Sequence, residues 1–211
     1  NWTPLTSDPT GGEAFYLFAD PTSTTRLVAT DYTRLFFSGD GGATWQLRYT
    51  APNDGAGLLV GGAFWDGSTV YLGTNRGLLT STNGGGSFAV AAVGGLPAGQ
   101  VVISFAGAKQ NGVTRFVAVT YAAADSYAGL PGYDNGGGAR VVTLDLGAAN
   151  WTVRTLPNSA WPFFAGMALT DVNTLYVAGG SSAGAPTVYK STNGGATWAS
   201  VFQTTNNANV Q

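Results

Sequence analysis

Three octapeptides of one pattern constrain this chain more than any other feature. Ser38-Gly39-Asp40-Gly41-Gly42-Ala43-Thr44-Trp45 returns as Ser81-Thr82-Asn83-Gly84-Gly85-Gly86-Ser87-Phe88 and again as Ser191-Thr192-Asn193-Gly194-Gly195-Ala196-Thr197-Trp198. The order is a hydroxyl, a short side-chain acceptor, a glycine pair and an aromatic. A pattern that recurs at intervals of tens of residues marks an array of equivalent units, each burying its apolar face only against its neighbours. From Ser38 to Ser81 is 43 residues, and from Ser81 to Ser191 is 110, or two periods of 55. A degenerate copy is therefore expected midway, and Thr143-Leu144-Asp145-Leu146-Gly147 followed by Trp151 fills the place. The longer period has a visible source in the glycine-rich insertion 122–138.

Between these copies lie short apolar runs rich in Val, Thr and aromatics, stopped by Gly, Pro, Asn and Asp, which read as strands. In the unit 14–50 they are Ala14–Ala19, Arg26–Thr30, Arg34–Ser38 and Thr44–Tyr49, with Pro21 ending the first. The same order recurs in the units 57–93, 100–156 and 161–202, and 203–211 is a tail or the start of another unit. No segment carries a 3.6-residue apolar stripe, so almost no helix is expected. Four short strands every 40–50 residues or so is the arithmetic of a β-propeller blade. The expected fold is all-β, with about four four-stranded antiparallel blades in this chain.

The octapeptide itself reads as scaffold. Ser38 and Asp40, Ser81 and Asn83, and Ser191 and Asn193 offer acceptors to the loop's own N–H groups. Gly42, Gly85 and Gly195 can take positive φ, and Trp45, Phe88, Trp151 and Trp198 bring apolar surface to wedge against a sheet. These octapeptides resemble Asp-boxes, the Ser-x-Asp-x-Gly-x-x-Trp (BNR) repeats of sialidases, xyloglucanase-type glycoside hydrolases, sortilin-type receptors and photosystem assembly factors. The first copy matches at every defined position. The second has Asn83 and Phe88, the copy around Asp145 is one residue too long, and the last has Asn193. The resemblance implies structural hairpins on the propeller face away from the ligand.

Trp2 to Leu5 echoes Asn150-Trp151-Thr152 and reads as the outer strand (1–5) of a preceding blade that lacks its other three strands. The chain is therefore expected to be part of a ring of seven or eight blades, completed by a second polypeptide or by the remainder of the same protein. A self-contained four-bladed ring is the competing reading.

Composition removes several chemistries. There is no Cys and no His, so thiolate and imidazole catalysis and Cys- or His-ligated metals are excluded, and no metal or cofactor is expected. A net charge of −2 with nine scattered Lys and Arg gives no basic footprint for nucleic acid. No apolar run approaches the ~18 residues of a membrane span. Carboxylates remain, and Glu occurs only at Glu13.

In propeller register, the loops after the second and fourth strands of each blade gather on one face. That face is expected to carry Asp8, Glu13, Asp31, Tyr32, Asn53, Asp54, Asn75, Arg76, the insertion with Asp125, Tyr127, Tyr133 and Asp134, the stretch Trp161 to Phe163, and Ser181 to Ala185. Of these, Tyr32, Arg76, Asp125, Tyr127, Tyr133, Asp134 and Trp161 are the candidate ligand-binding residues. Aromatics there can stack on sugar rings, and a carboxylate pair could act as acid and base. Thr30-Asp31 precedes an aromatic-rich strand much as the catalytic Thr-Asp does in xyloglucanase-type enzymes, so the resemblance implies Asp31 as a catalytic candidate. Read from its own loop, Asp31 is a turn residue. No Arg-Ile-Pro is present, and a sialidase arginine triad is not assignable; Arg76 and Arg115 are open to a ligand carboxylate or to plain solvent exposure. Asn1-Trp2-Thr3 and Asn150-Trp151-Thr152 fit the N-glycosylation pattern but carry the repeat's buried-type Trp. The functional expectation is a secreted, extracellular or cell-surface propeller that binds polysaccharide, with glycoside-hydrolase-like carboxylate chemistry. The alternative is a non-catalytic propeller that mediates protein–protein interaction or a surface assembly.

Overall fold

The computed structural model describes residues 7–13, 16–126, 138–157, 160–180 and 185–204. The expected outer strand 1–5, the insertion residues Tyr127, Tyr133 and Asp134, residues 181–184 and the tail 205–211 lie outside the described residues. Sixteen strands are described, in four antiparallel sheets of four, and each strand pairs only with its neighbour in the chain. The first sheet holds β1 (Tyr16–Ala19), β2 (Leu27–Thr30), β3 (Arg34–Ser38) and β4 (Gln46–Thr50). The second holds β5 (Val60–Asp66), β6 (Thr69–Thr74), β7 (Gly77–Ser81) and β8 (Ala89–Val90). The third holds β9 (Gln100–Gln110), β10 (Val113–Ala122), β11 (Arg140–Asp145) and β12 (Thr152–Arg154). The fourth holds β13 (Trp161–Ala168), β14 (Asp171–Gly180), β15 (Pro186–Ser191) and β16 (Ala199–Gln203). Among the described residues the one helix is α1 (Ala123–Ser126), at the start of the insertion.

Several strand lengths differ from the sequence expectation, two of them for a visible local reason. In the third unit the sequence predicts strands at 101–106 and 114–121; β9 runs on to Gln110 and β10 begins at Val113, because Asn111 (φ 50°) and Gly112 (φ 80°) close a two-residue turn that lets the ladder continue to its tip. β8 shrinks to two residues where 88–93 was expected.

The sheets fall into two compact units, residues 1–91 with the first two sheets and 92–211 with the last two. Strand alternation puts every second side chain on one face of a sheet. In the first unit Val28, Leu35 and Phe37 of the first sheet meet Val60, Val70, Leu72, Leu79 and Phe88 of the second. In the second unit Val117 and Val141 meet Leu175 and Val177, with Met167 and Trp198 half-buried against them.

The octapeptide turns follow one plan. Ser38 Oγ accepts the Gly42 N–H at 2.8 Å and donates to Asp40 Oδ1 at 2.8 Å, while Asp40 Oδ1 accepts the Thr44 N–H at 2.9 Å. Ser81 with Asn83 and Ser191 with Asn193 repeat these bonds, the glycine N–H lying 2.9 and 2.8 Å from the Ser Oγ. Both glycines of each pair have positive φ, 75° and 88° in the first copy. The first glycine of each pair also donates across the sheet end to a first-hairpin carbonyl: Gly41 to Thr25 at 2.8 Å, Gly84 to Ser68 at 2.9 Å and Gly194 to Asn173 at 3.0 Å. Phe88 and Trp151 are buried, whereas Trp45 and Trp198 are half-buried.

The copy around Asp145 needs correction. It keeps the backbone tie, from Leu146 N to Thr114 O at 2.8 Å. Asp145, however, turns its carboxylate onto the Arg115 guanidinium, at 2.5 and 2.9 Å. In the β10–β11 register Asp145 stands directly opposite Arg115, so its carboxylate meets that guanidinium rather than the turn.

The four ties align the sheets residue by residue, and the alignment exposes a second repeat. The residue after Thr25 is Arg26 and the residue after Thr114 is Arg115. Arg26 donates to Gly67 O at 2.5 Å in the second sheet, and Arg115 donates to Val172 O at 3.3 Å in the fourth, which is the equivalent carbonyl. Arg26 is also paired with buried Asp20 at 2.8 Å and lies 4.9 Å over the Trp65 ring; Arg115 reaches Asn173 Oδ1 at 2.9 Å. Arg115 is thus neither solvent-exposed nor a ligand for a small carboxylate, but a clamp on the next sheet. The second and fourth sheets have Thr69 and Thr174 at this position.

Gly85 receives the Phe37 ring from the first sheet. In the second unit Thr143 occupies the register position of Phe37, opposite Val117 as Phe37 is opposite Val28. The short threonine leaves a gap, and Arg154 fills it. Its Nε donates to Thr143 Oγ1 at 2.8 Å and its aliphatic stem covers Gly195.

Asp40 makes the turn sensitive to acid. The Thr44 hydroxyl, then the Thr44 N–H and the Ser38 hydroxyl, lower its carboxyl from 3.8 to about 2. A folded-state value below the unfolded one contributes stability above the unfolded value, and that contribution is lost as pH falls from about 4 to about 2. Asp40→Asn is expected to leave the Tm near neutral pH almost unchanged, because Asn83 and Asn193 make the same bonds. It should also reduce the loss of Tm on going to about pH 2.5. Melting curves across that range measure both, and a variant that loses as much Tm in acid as the parent would remove Asp40 from the acid response.

Candidate functional site

At the loop end of the first unit, Asp31 follows β2. It is only 3% exposed. Its carboxylate accepts the Thr33 N–H at 2.8 Å and the Arg34 N–H at 2.6 Å, and it pairs with the Arg34 guanidinium at 2.6 and 2.5 Å. Burial pushes its pKa up, but these donors outweigh burial and hold it below the ordinary carboxylate value. A carboxyl held ionised by four contacts from its own loop is a turn former and a poor proton donor near neutral pH.

Tyr32 and Arg76 meet around the loop that links the first two sheets. Tyr32 is 42% exposed, donates through its hydroxyl to Gly55 O at 3.0 Å, and accepts the Leu58 N–H on its own carbonyl at 2.7 Å. Gly57, at φ 60°, lies flat on its ring; a Cβ there would fall 2.8 Å from Tyr32 Cζ. Arg76 forks onto both Asp54 oxygens at 2.6 Å and donates from Nε to Gly57 O at 2.9 Å. That fork holds Asp54 far below its ordinary value. Asn75 completes the frame, accepting the Leu59 N–H at 2.9 Å and donating to Ala56 O at 2.8 Å. Arg76 is therefore committed to the loop, and Tyr32 is the side chain that the loop holds outward. Asp8, also expected on this face, binds its own turn through Thr10 and Gly12.

In the second unit, Trp161 is the first residue of β13, where a loop position was expected, and it is 42% exposed. Its carbonyl side packs on Gly179 of β14, at a bulge between Pro162 and Phe164. Tyr121, in β10, donates to Pro162 O at 3.1 Å and stands 6.1 Å from the Phe163 ring. Gln100 bonds Thr120 Oγ1 and Gly138 O, tying together the two ends of the insertion. Asp125 lies in α1. Tyr121 thus ties the start of β13 to the strand end from which the insertion begins. Among the described residues no three Asp or Glu cluster as a metal site would require.

No protein-family profile matches this chain, and no curated protein does. Solved structures match. An ancestral GH74 enzyme superposes with a TM-score of 0.63 at 26% identity, over 93% of this chain and 25% of that one. The GH74 enzyme of Niastella koreensis superposes with a TM-score of 0.59 at 20% identity, over 87% of this chain and 28% of that one. Both are β-propeller proteins, and the four four-stranded sheets are blades of that fold. The chain spans about a quarter of the length of these structures.

Proposed function

We propose that this chain is an Asp-box segment of a secreted β-propeller whose loop end binds polysaccharide, in a ring completed by further blades. The observation that carries the reading is the likeness to the ancestral GH74 enzyme, at 26% identity and across 93% of the chain. The Ser–Asp/Asn–glycine bonding of the three octapeptide turns supports the Asp-box assignment. Two outward aromatics on loop ends, Tyr32 and Trp161, support carbohydrate as the ligand. Their rings offer flat apolar faces to sugar C–H groups. Asp31 is bound into its own turn, which favours a binding role for this loop over a proton-transfer role.

The test is retention on a panel of plant and microbial polysaccharides, with a reducing-sugar assay alongside. Trp161→Ala and Tyr32→Ala are each expected to weaken retention about tenfold, or ~1.4 kcal/mol, with the Tm unchanged in Trp161→Ala. Retention by none of the panel, or retention indifferent to both substitutions, would overturn the assignment.

A further inference from the structure

An asparagine followed by glycine can close on itself, because glycine has no side chain to obstruct attack of its own nitrogen on the preceding side-chain amide carbon. The described residues hold three such pairs, Asn83-Gly84, Asn111-Gly112 and Asn193-Gly194; Asn135-Gly136 lies outside them. Attack needs a glycine nitrogen that is not committed elsewhere and an amide carbon able to turn toward it. The hydrogen bonds around each pair decide both.

In the two octapeptide turns both partners are tied. The Gly84 N–H donates to Ser68 O at 2.9 Å and the Gly194 N–H to Asn173 O at 3.0 Å. Asn83 Oδ1 accepts the Ser81 hydroxyl and the Ser87 N–H, each at 3.0 Å, and its Nδ2 donates to Ser87 Oγ at 3.0 Å. Asn193 repeats the pattern, with Oδ1 accepting the Ser191 hydroxyl and the Thr197 N–H at 2.9 Å and Nδ2 donating to Thr197 Oγ1 at 2.8 Å. Ring closure at either pair requires the turn to open first.

Asn111-Gly112 is the two-residue turn between β9 and β10. Gln110 and Val113 pair across it, so the ladder closes below the turn and leaves its two residues outside. Both are exposed. Neither the Asn111 amide nor the Gly112 N–H bonds to a described residue, and a Cβ at Gly112 would meet nothing within 4 Å. We propose that Asn111 is a site of spontaneous modification, deamidated to aspartate and isoaspartate with water as the co-reactant, while the fold protects Asn83 and Asn193. The Gly112 nitrogen loses its proton to solvent base and bonds to Asn111 Cγ. The Cγ–Nδ2 bond breaks, and Nδ2 takes a proton from water and leaves as ammonia. Water then opens the cyclic imide. Addition at Cγ breaks its new bond to nitrogen and gives aspartate; addition at the Asn111 main-chain carbon breaks the original peptide bond and gives isoaspartate, the chain then running through Cγ. Either product adds one negative charge at the hairpin tip. The φ of 50° at Asn111 is one that aspartate also adopts. The tip is at the far end of the hairpin from Gln100 and Ala122, so the modification is independent of polysaccharide binding.

The test is incubation of the 211-residue chain in mildly alkaline buffer, followed by trypsin digestion and mass spectrometry. Cleavage after Arg76, Lys109, Arg115, Arg140 and Lys190 places Asn83 in peptide 77–109, Asn111 in 110–115, Asn135 in 116–140 and Asn193 in 191–211. Each conversion raises the peptide mass by the difference between an amide and an acid, and fragmentation locates it within 191–211. In the folded chain Asn111 is expected to convert at least about tenfold faster than Asn83 and Asn193, whose turns must open before they react. In denaturant, where only the shared Asn-Gly sequence acts, the three are expected to convert at similar rates. Similar rates at all three in the folded chain would overturn the proposal. So would an Asn111 that stays intact in the folded chain while it converts in denaturant.

Discussion

Gly85→Ala is expected to destabilise the first unit by about 3 kcal/mol, from two independent causes. At φ 90° an alanine meets the steric cost of a left-handed backbone, about 1–2 kcal/mol. Its Cβ would also fall 2.6 Å from Phe37 Cγ, with two further ring carbons closer still. Phe37 is 8% exposed and locked in the core between the first two sheets, so it cannot swing aside, and overpacking of this kind costs about 1–3 kcal/mol. For a chain of this size about 3 kcal/mol corresponds to a Tm loss of roughly 6–12 °C. The two causes separate in a double-mutant cycle. Phe37→Ala alone should cost about 3–5 kcal/mol, but it opens the space over Gly85, so adding Gly85→Ala should then cost only the backbone part. If Gly85→Ala costs the same in both backgrounds, the ring is not seated on that glycine.

Gly179→Ala should have a comparable effect in the second unit, through space alone. Gly179 lies in β14 opposite Pro162, where the β13 register shifts. An added Cβ would sit 2.8 Å from the Trp161 carbonyl carbon and 2.9 Å from Pro162 Cα. These are backbone atoms of the paired strand, with no rotamer through which to escape. β13 must lift away from β14, and the bond from the Tyr121 hydroxyl to Pro162 O at 3.1 Å goes with it. The expected cost is about 3 kcal/mol. Because the displaced strand end carries Trp161, polysaccharide retention should fall as far as in Trp161→Ala. Melting and retention measured on one preparation check both, and an alanine variant that retains ligand normally would show that Trp161 does not depend on this close approach.

Much of this is legible in the amino-acid sequence. The bonds of the octapeptide turn join residues four apart, such as Ser38 to Gly42 and Asp40 to Thr44, so a local pattern specifies them and three copies establish a repeat. The meander is legible for the same reason, since every strand pairs with its chain neighbour. The degenerate copy shows where local reading stops: the spacing located Asp145, but its partner Arg115 lies 30 positions away. The site behaved similarly. Tyr32, Asp54, Asn75 and Arg76 were placed on one face by register. Nothing local announced that Arg76 would be spent on Asp54 and Gly57, 22 and 19 positions earlier, or that Asp31 would be closed off by its own loop.

By itself, then, the sequence determined the strands, their order, the turn chemistry and the repeat, because each depends on contacts within a few residues of chain. Tertiary structure alone decided which side chains are clamps and which are surface. Arg26 and Arg115 hold sheet to sheet across 41 and 57 positions, Arg154 replaces a missing aromatic, and Tyr176 stands open where Val28 and Val117 are buried. The physical reason is that a strand presents one face to each neighbouring sheet. What a residue does there depends on what stands opposite, which the periodicity of its own strand does not encode.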